Sequence, residues 1–221
     1  MAMIDTICLD NVNLKVFVDA PPLGGPSEVW NRRIEFKKGR SYLIEAGSGR
    51  GKSSLCSFLY GLRTDFVGSI DFRYDNGEVI GNAHCNYIDI RQKSLSMMFQ
   101  EHRLFPELSA VDNVMLKSQL TGFAGEDEVR AMLTRLGLAD RLDTLCGRMS
   151  FGQQQRVAFV RALCQPSDFI FLDEPISHLD SENARIMADM LSERQRKDGA
   201  GVIVTSIGYR LPYEYDAVFK L

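Results

Sequence analysis

Short apolar runs punctuate the chain: Tyr42-Leu43-Ile44, Met97-Met98-Phe99, Phe169-Ile170-Phe171-Leu172 and Val202-Ile203-Val204. Each is bounded by polar or turn-forming residues, and none alternates with polar positions. That pattern predicts strands covered on both faces, as in a parallel sheet flanked by helices. Between the runs the period turns helical. Val157, Val160 and Cys164 fall at i, i+3, i+7 with Pro166 as the stop. Ala184, Met187, Ala188 and Leu191 fall at i, i+3, i+4, i+7, followed by Arg194, Arg196, Lys197 and a capping Gly199. Strand and helix in alternation predict an α/β fold with right-handed crossovers. The first forty residues differ. Residues 7–18 read as a strand pair, Pro21 to Pro26 as a turn or loop, and residues 29–36 as a further strand, together an antiparallel β-flank. Residues 105–149 carry helical stretches at 110–120 and 126–136 and no convincing strand, so they read as a helical insertion. Residues 216–221 read as a last strand with no tail behind it, so regulation by an appended domain is not expected.

Composition narrows the class. The chain has 221 residues with 26 Lys+Arg against 29 Asp+Glu, a net charge of −3, and 45% apolar residues. This is the composition of a folded domain, or of two closely docked subdomains, and excludes a disordered chain. The slightly acidic balance argues against a nucleic-acid coat. Five cysteines (Cys8, Cys56, Cys85, Cys146, Cys164) without CxxC spacing point to a reducing compartment and to packing roles. His84, His102 and His178 are too dispersed to suggest a metal cluster by spacing. The start Met1-Ala2-Met3-Ile4-Asp5 does not read as a secretory leader, and no stretch approaches the ~18–20 apolar residues that span a bilayer. A cytoplasmic chain is expected. Trp30, the single tryptophan, reads as a packing residue.

The candidate chemistry begins behind the first apolar run, at Ala46-Gly47-Ser48-Gly49-Arg50-Gly51-Lys52-Ser53, with Ser54 next. Glycines here let the backbone wrap an anion with its N–H groups inward, and a helix starting near Gly51 would aim its positive end at the same point. Lys52 suits the outer phosphates of a nucleotide, and the Ser53 hydroxyl a magnesium ion. The strict pattern opens with Gly where this chain has Ala46, so slight strain is expected there. A plain Gly-rich turn is the competing reading. Further on, the apolar run at 169–172 ends in Asp173-Glu174-Pro175. Asp173 suits a metal contact and Glu174 a base that activates water against the terminal phosphate. Two solvated acids at a strand end compete with that reading, less strongly once a phosphate loop belongs to the same sheet.

Met149-Ser150-Phe151-Gly152-Gln153-Gln154-Gln155-Arg156, between these halves, resembles the Leu-Ser-Gly-Gly-Gln signature of the ATP-binding-cassette (ABC) ATPases. Met98-Phe99-Gln100-Glu101-His102 resembles the family's glutamine loop, and Ser177-His178-Leu179-Asp180 the loop carrying its dimer-contact aspartate. The segment from Leu104 to Val114 looks most like the lipoprotein-release, macrolide-export and cell-division group. The resemblance implies one ATPase domain over 1–221: a P-loop core with a mostly parallel sheet and the β-flank (1–104 and 150–221), and a helical subdomain (105–149). It also implies ATP and Mg²⁺ as cofactors and two domains meeting head to tail as a homodimer or heterodimer. Ser150, Gly152 and Gln153 would then meet the opposite ATP, and Asp180 would lie at the dimer contact. Gln100 would touch the metal or the attacking water beside Ser53 and Asp173, and would link the site to a membrane partner. An aromatic residue of the β-flank would stack on adenine, with Phe17 as candidate. The implied role is the energy-coupling subunit of a membrane transporter, held at the inner face of the membrane by that partner and binding no nucleic acid. A nucleotide-gated signalling module with near-vestigial hydrolysis is the alternative. A chromosome or repair ATPase is disfavoured, because no long heptad insertion separates the halves of the site. Two departures stand out. Ser206 occupies the place of the family's switch histidine, and Phe151 that of the first signature glycine, so slow turnover is expected, with Glu174 intact.

Overall fold

The structure, a computed structural model, describes residues 2–19 and 26–221. Its strands are β1 (Ile4–Leu14), β2 (Arg33–Lys37), β3 (Ser41–Glu45), β4 (Phe66–Tyr74), β5 (Val79–Gly81), β6 (Leu95–Met98), β7 (Phe169–Asp173), β8 (Gly201–Ser206) and β9 (Ala217–Lys220). The helices are α1 (Val16–Asp19), α2 (Lys52–Leu59), α3 (Tyr87–Lys93), α4 (Ala110–Thr121), α5 (Glu126–Arg135), α6 (Phe151–Leu163) and α7 (Ser181–Asp198). Strands β6-β7-β8-β3-β9 form one sheet in that order, and every pairing in it is parallel. Strands β2-β1-β4-β5 form a second, antiparallel sheet.

The unbroken apolar runs follow from this layering. On β7, Phe169 and Phe171 face a core shared with the antiparallel sheet and α2. Ile170 and Leu172 face the opposite core, built with α4 to α7. Tyr42 and Ile44 on β3, and Ile203 on β8, face the first core. Leu43, Val202 and Val204 face the second. Each strand is covered twice, so no polar face exists to produce alternation. Helix ends are capped locally, at Gly199 as the sequence predicts. Ser109 caps α4 by accepting from the Asp112 N–H, and Gly199 closes α7 in the left-handed region at φ 67°.

The N-terminal region corrects the sequence reading. Residues 7–18 are not a strand pair: β1 is one long strand, and α1 follows it directly. The polar interruption that resembled a turn is a bulge, where the register against β4 shifts between Asp10 and Asn13 and Asn11 adopts φ 50°. Gly68 lies across it at φ 84°, and a Cβ there would come within 2.4 Å of the Asn11 carbonyl oxygen. Only 33–36 of the expected strand 29–36 pairs, as part of β2; Val29 and Trp30 are buried without joining the sheet. Strands β4 and β5 and helix α3 were not anticipated. The expected loop from Pro21 to Gly25 lies outside the described residues. No helix among the described residues is long and apolar enough to cross a membrane.

All five cysteines are free; four are buried and Cys85 is half-buried. Burial pushes the thiols of Cys85 and Cys146 up to about 11 and that of Cys164 up to about 12. The thiolate is the reactive form, so between pH 7 and 9 these groups remain protonated and inert. Ellman's reagent at pH 7.5 should label essentially no thiol rapidly in the native protein and five per chain in denaturant. Two or more fast native thiols would contradict this packing.

Candidate active site

Strand β3 runs into residues 46–51 and α2 starts at Lys52. The loop turns through Gly49 at φ 76° and Gly51 at φ 93°. At Gly51 the requirement is double, because a Cβ would lie 2.9 Å from both Leu14 Cδ1 and Trp30 Cζ2. Trp30 underlies the loop, its indole N–H donating to the Arg50 carbonyl at 3.1 Å, and so has the packing role expected of it. On the other side a Cβ at Gly47 or Gly49 would meet nothing within 4 Å, which leaves room for a ligand. Ala46 is not among the residues with positive φ, so its Cβ imposes no backbone strain, contrary to expectation.

Charges converge above this loop. The Lys52 ammonium donates to the carbonyls of Ala46 and Gly47, both at 3.0 Å, and lies 3.4 Å from Glu174 Oε1. Gln100 Nε2 donates to Glu174 Oε2 at 3.1 Å, and the Ser53 hydroxyl donates to Gln100 Oε1 at 3.3 Å. Asp173, at the end of β7, accepts from the Thr205 hydroxyl at 2.5 Å. Burial raises the Asp173 carboxyl above the usual carboxylate range, opposed by hydrogen bonds from Thr205 and Ser53. Glu174 holds φ 51°, a left-handed conformation that a non-glycine residue keeps only where its surroundings enforce it. Its backbone N–H donates to Thr205 Oγ1 at 3.2 Å and its carbonyl accepts from Gln155 Nε2 at 3.3 Å. Lys52, Ser53, Gln100 and Glu174 line one cleft of about 370 Å³. Ser53, Gln100 and Asp173 offer oxygen donors only, a set that fits a hard divalent cation.

The other candidate residues fall into two groups. Phe17, half-buried on α1, stands on the rim of the same cleft with Ser48 and Ser54. Arg63, which the sequence reading missed, lines it too and donates to Ser54 Oγ at 2.7 Å. Nothing in the sequence signals it, because only the turn after α2 brings Arg63 back beside the first turn of that helix. Ser206 is buried at the end of β8, its hydroxyl donating to the Tyr209 carbonyl at 2.6 Å and accepting from the Gly208 N–H at 3.0 Å. Ser150, Gly152, Gln153 and Asp180 do not line the cleft. Ser150 and Gln153 form a capping box on α6, and Asp180 caps α7 by accepting from the Asn183 N–H at 2.8 Å. That bond from Asn183 holds the Asp180 carboxyl below its ordinary range. A Cβ on Gly152 would come within 3.0 Å of the His178 carbonyl oxygen. The Phe151 ring turns aside, 4.4 Å from the rings of both His102 and His178. Burial, then His178 and Arg161, push the His102 imidazole down to about 4, so it is neutral. No group of three or more His, Cys, Asp or Glu among the described residues could hold a metal.

A glycine loop at a helix N-terminus, a lysine and serine behind it, and acids at the end of a strand in the same parallel sheet define a P-loop nucleotide-binding protein. The ABC transporter family model matches residues 30–177, and the chain belongs to that family as an ATP-binding subunit. It is 33% identical over 191 residues to the lipoprotein-releasing system ATP-binding protein LolD of Syntrophotalea carbinolica, covering 85% of this chain and 83% of that one. It is 35% identical over 201 residues to the phosphonates import ATP-binding protein PhnC 2 of Pseudomonas aeruginosa, covering 84% of this chain and 72% of that one. The dimeric post-hydrolysis structure of the ATP-binding cassette MJ0796 with ADP and Pi superposes with a TM-score of 0.70 at 26% identity, covering 90% of this chain and 87% of that one.

The Lys52–Glu174 pair can be tested without a nucleotide. Lys52→Met should destabilise the protein by roughly 3 kcal/mol in urea unfolding, because it leaves the nearly buried carboxylate unpaired. Adding Glu174→Gln should recover most of that loss. A double variant no more stable than Lys52→Met would contradict the pairing.

Proposed function

We propose that this chain is the ATP-hydrolysing, energy-coupling subunit of a membrane transporter, acting as one ATPase unit over 1–221 with a helical part at 105–149. The convergence of Lys52, Ser53, Gln100 and Glu174 at one end of the parallel sheet carries this reading. The loop N–H groups and Lys52 receive the phosphates of ATP, with the ammonium moving its bonds from the Ala46 and Gly47 carbonyls to phosphate oxygens. A magnesium ion held by Ser53, Gln100 and Asp173 would neutralise the charge of the outer phosphates. Glu174, released from Lys52, accepts a proton from the water that Gln100 orients. The water oxygen bonds to the γ-phosphorus as the bond to the bridging oxygen breaks, giving ADP and phosphate. Phe17 stacks on the adenine.

Two such chains, or this one and a related partner, pair head to tail, so that Ser150, Gly152 and Gln153 reach the opposite ATP and Asp180 lies at the contact. The glutamine loop leads into a surface where Phe105, Leu116 and Leu120 are exposed beside Lys117 and Arg161, the face offered to the membrane partner. That partner selects the cargo and holds the subunit at the inner membrane face. Relatives carrying lipoprotein-release and phosphonate-import names support the transporter reading over a signalling module.

Turnover is slow in this reading, because the Ser206 hydroxyl is short, uncharged and already engaged by its own turn. Glu174→Gln should lower kcat by about 10²–10³ and lengthen the ATP-bound dimer's lifetime in light scattering, while Ser206→His should raise kcat roughly tenfold. Unchanged turnover and dimer lifetime in Glu174→Gln would remove the basis of the energy-coupling role.

A further inference from the structure

We propose that Phe151 is a positioning residue that clamps the glutamine loop and the 177–180 loop to the start of α6, so that all three move as one body. Three observations meet there. The Phe151 ring lies 4.4 Å from His102, tilted at 44°, and 4.4 Å from His178, edge-on at 66°, one imidazole from each loop. His102 is buried with φ 58°, and its Nε2 has no hydrogen-bond partner among the described residues, so the ring is held through packing rather than through that nitrogen. Further down α6, the Arg161 guanidinium donates to the carbonyls of His102 and Arg103, fixing the same loop at a second point. The opposite side of the clamp is equally close, since Gly152 can carry no Cβ without meeting the His178 carbonyl at 3.0 Å.

The consequence follows from what each loop touches. Gln100, two residues before His102, hydrogen-bonds Ser53 and Glu174 and so registers the state of this chain's own cleft. Ser150, the residue before Phe151, opens the helix that does not line that cleft and, on the function proposed above, serves the opposite nucleotide. A ring joining the two passes a shift at one to the other without touching ATP. Glycine at this position would remove the ring that both His102 and His178 pack against.

The test uses the full chain with Phe151→Gly, Phe151→Tyr and, from the other side, His178→Ala. Hydrogen exchange on the nucleotide-free protein comes first. Phe151→Gly and His178→Ala should speed exchange across 101–104 as well as at 150–153, and Phe151→Tyr should restore protection. In steady-state hydrolysis, Phe151→Gly should lower kcat about tenfold, the scale of one to two aromatic contacts, with KM little changed and cooperativity in ATP lost. Exchange at 101–104 unchanged by Phe151→Gly, or a kcat that rises, would overturn the clamp; the latter would mean the ring merely obstructs the opposite phosphate. Failure of the wild-type protein to bind or hydrolyse ATP would sink the function proposed above, while the exchange data would still decide the clamp.

Discussion

The Lys52 ammonium and the Glu174 carboxylate, both nearly removed from water, face each other across the carboxyl ends of the parallel strands. Neither charge is tolerable there alone, and their separation of 3.4 Å is too long for a tight, saturated pair. Lys52 divides its protons between Glu174 and two loop carbonyls, and Glu174 is also held by Gln100. An anion entering the cleft would compete with the two loop carbonyls for those protons. The surrounding architecture keeps these groups in register.

That architecture works through shared walls. Trp30, from the segment between β1 and β2, supports the glycine loop from beneath and, with Leu14, leaves no room for a side chain at Gly51. Thr205 on β8 bonds Asp173 through its hydroxyl and the Glu174 backbone through the same oxygen, so two neighbouring strands aim both acids. Strand β7 is covered on both faces up to its buried end at Asp173, and Glu174, the next residue, lines the cleft. Helix α6 ties the far side, with Gln155 on the Glu174 carbonyl and Arg161 on the glutamine loop.

Much of this was legible in the chain because it is local. The apolar runs at 42–44, 169–172 and 202–204 became β3, β7 and β8, and the cap signal at Gly199 is written directly behind the helix it ends. The glycine loop and the acid pair could be read because backbone freedom and charge at a strand end leave marks in sequence. What escaped depends on contacts between distant segments. The bulge at Asp10 to Asn13 mimics a turn until Gly68 is seen across it. Arg63 gives no local sign of facing the loop. The contacts of the Phe151 ring with both His102 and His178 join segments far apart in sequence and leave no local mark.

The most direct test is a crystal structure of the Glu174→Gln protein grown with ATP and manganese, whose anomalous signal marks a hard-cation site of the magnesium kind. A single strong peak among Ser53, Gln100, Asp173 and the outer phosphates, with Lys52 turned onto those phosphates, is expected. A nucleotide bound elsewhere, or a manganese peak away from Ser53 and Asp173, would contradict the convergence of these groups on one metal–nucleotide.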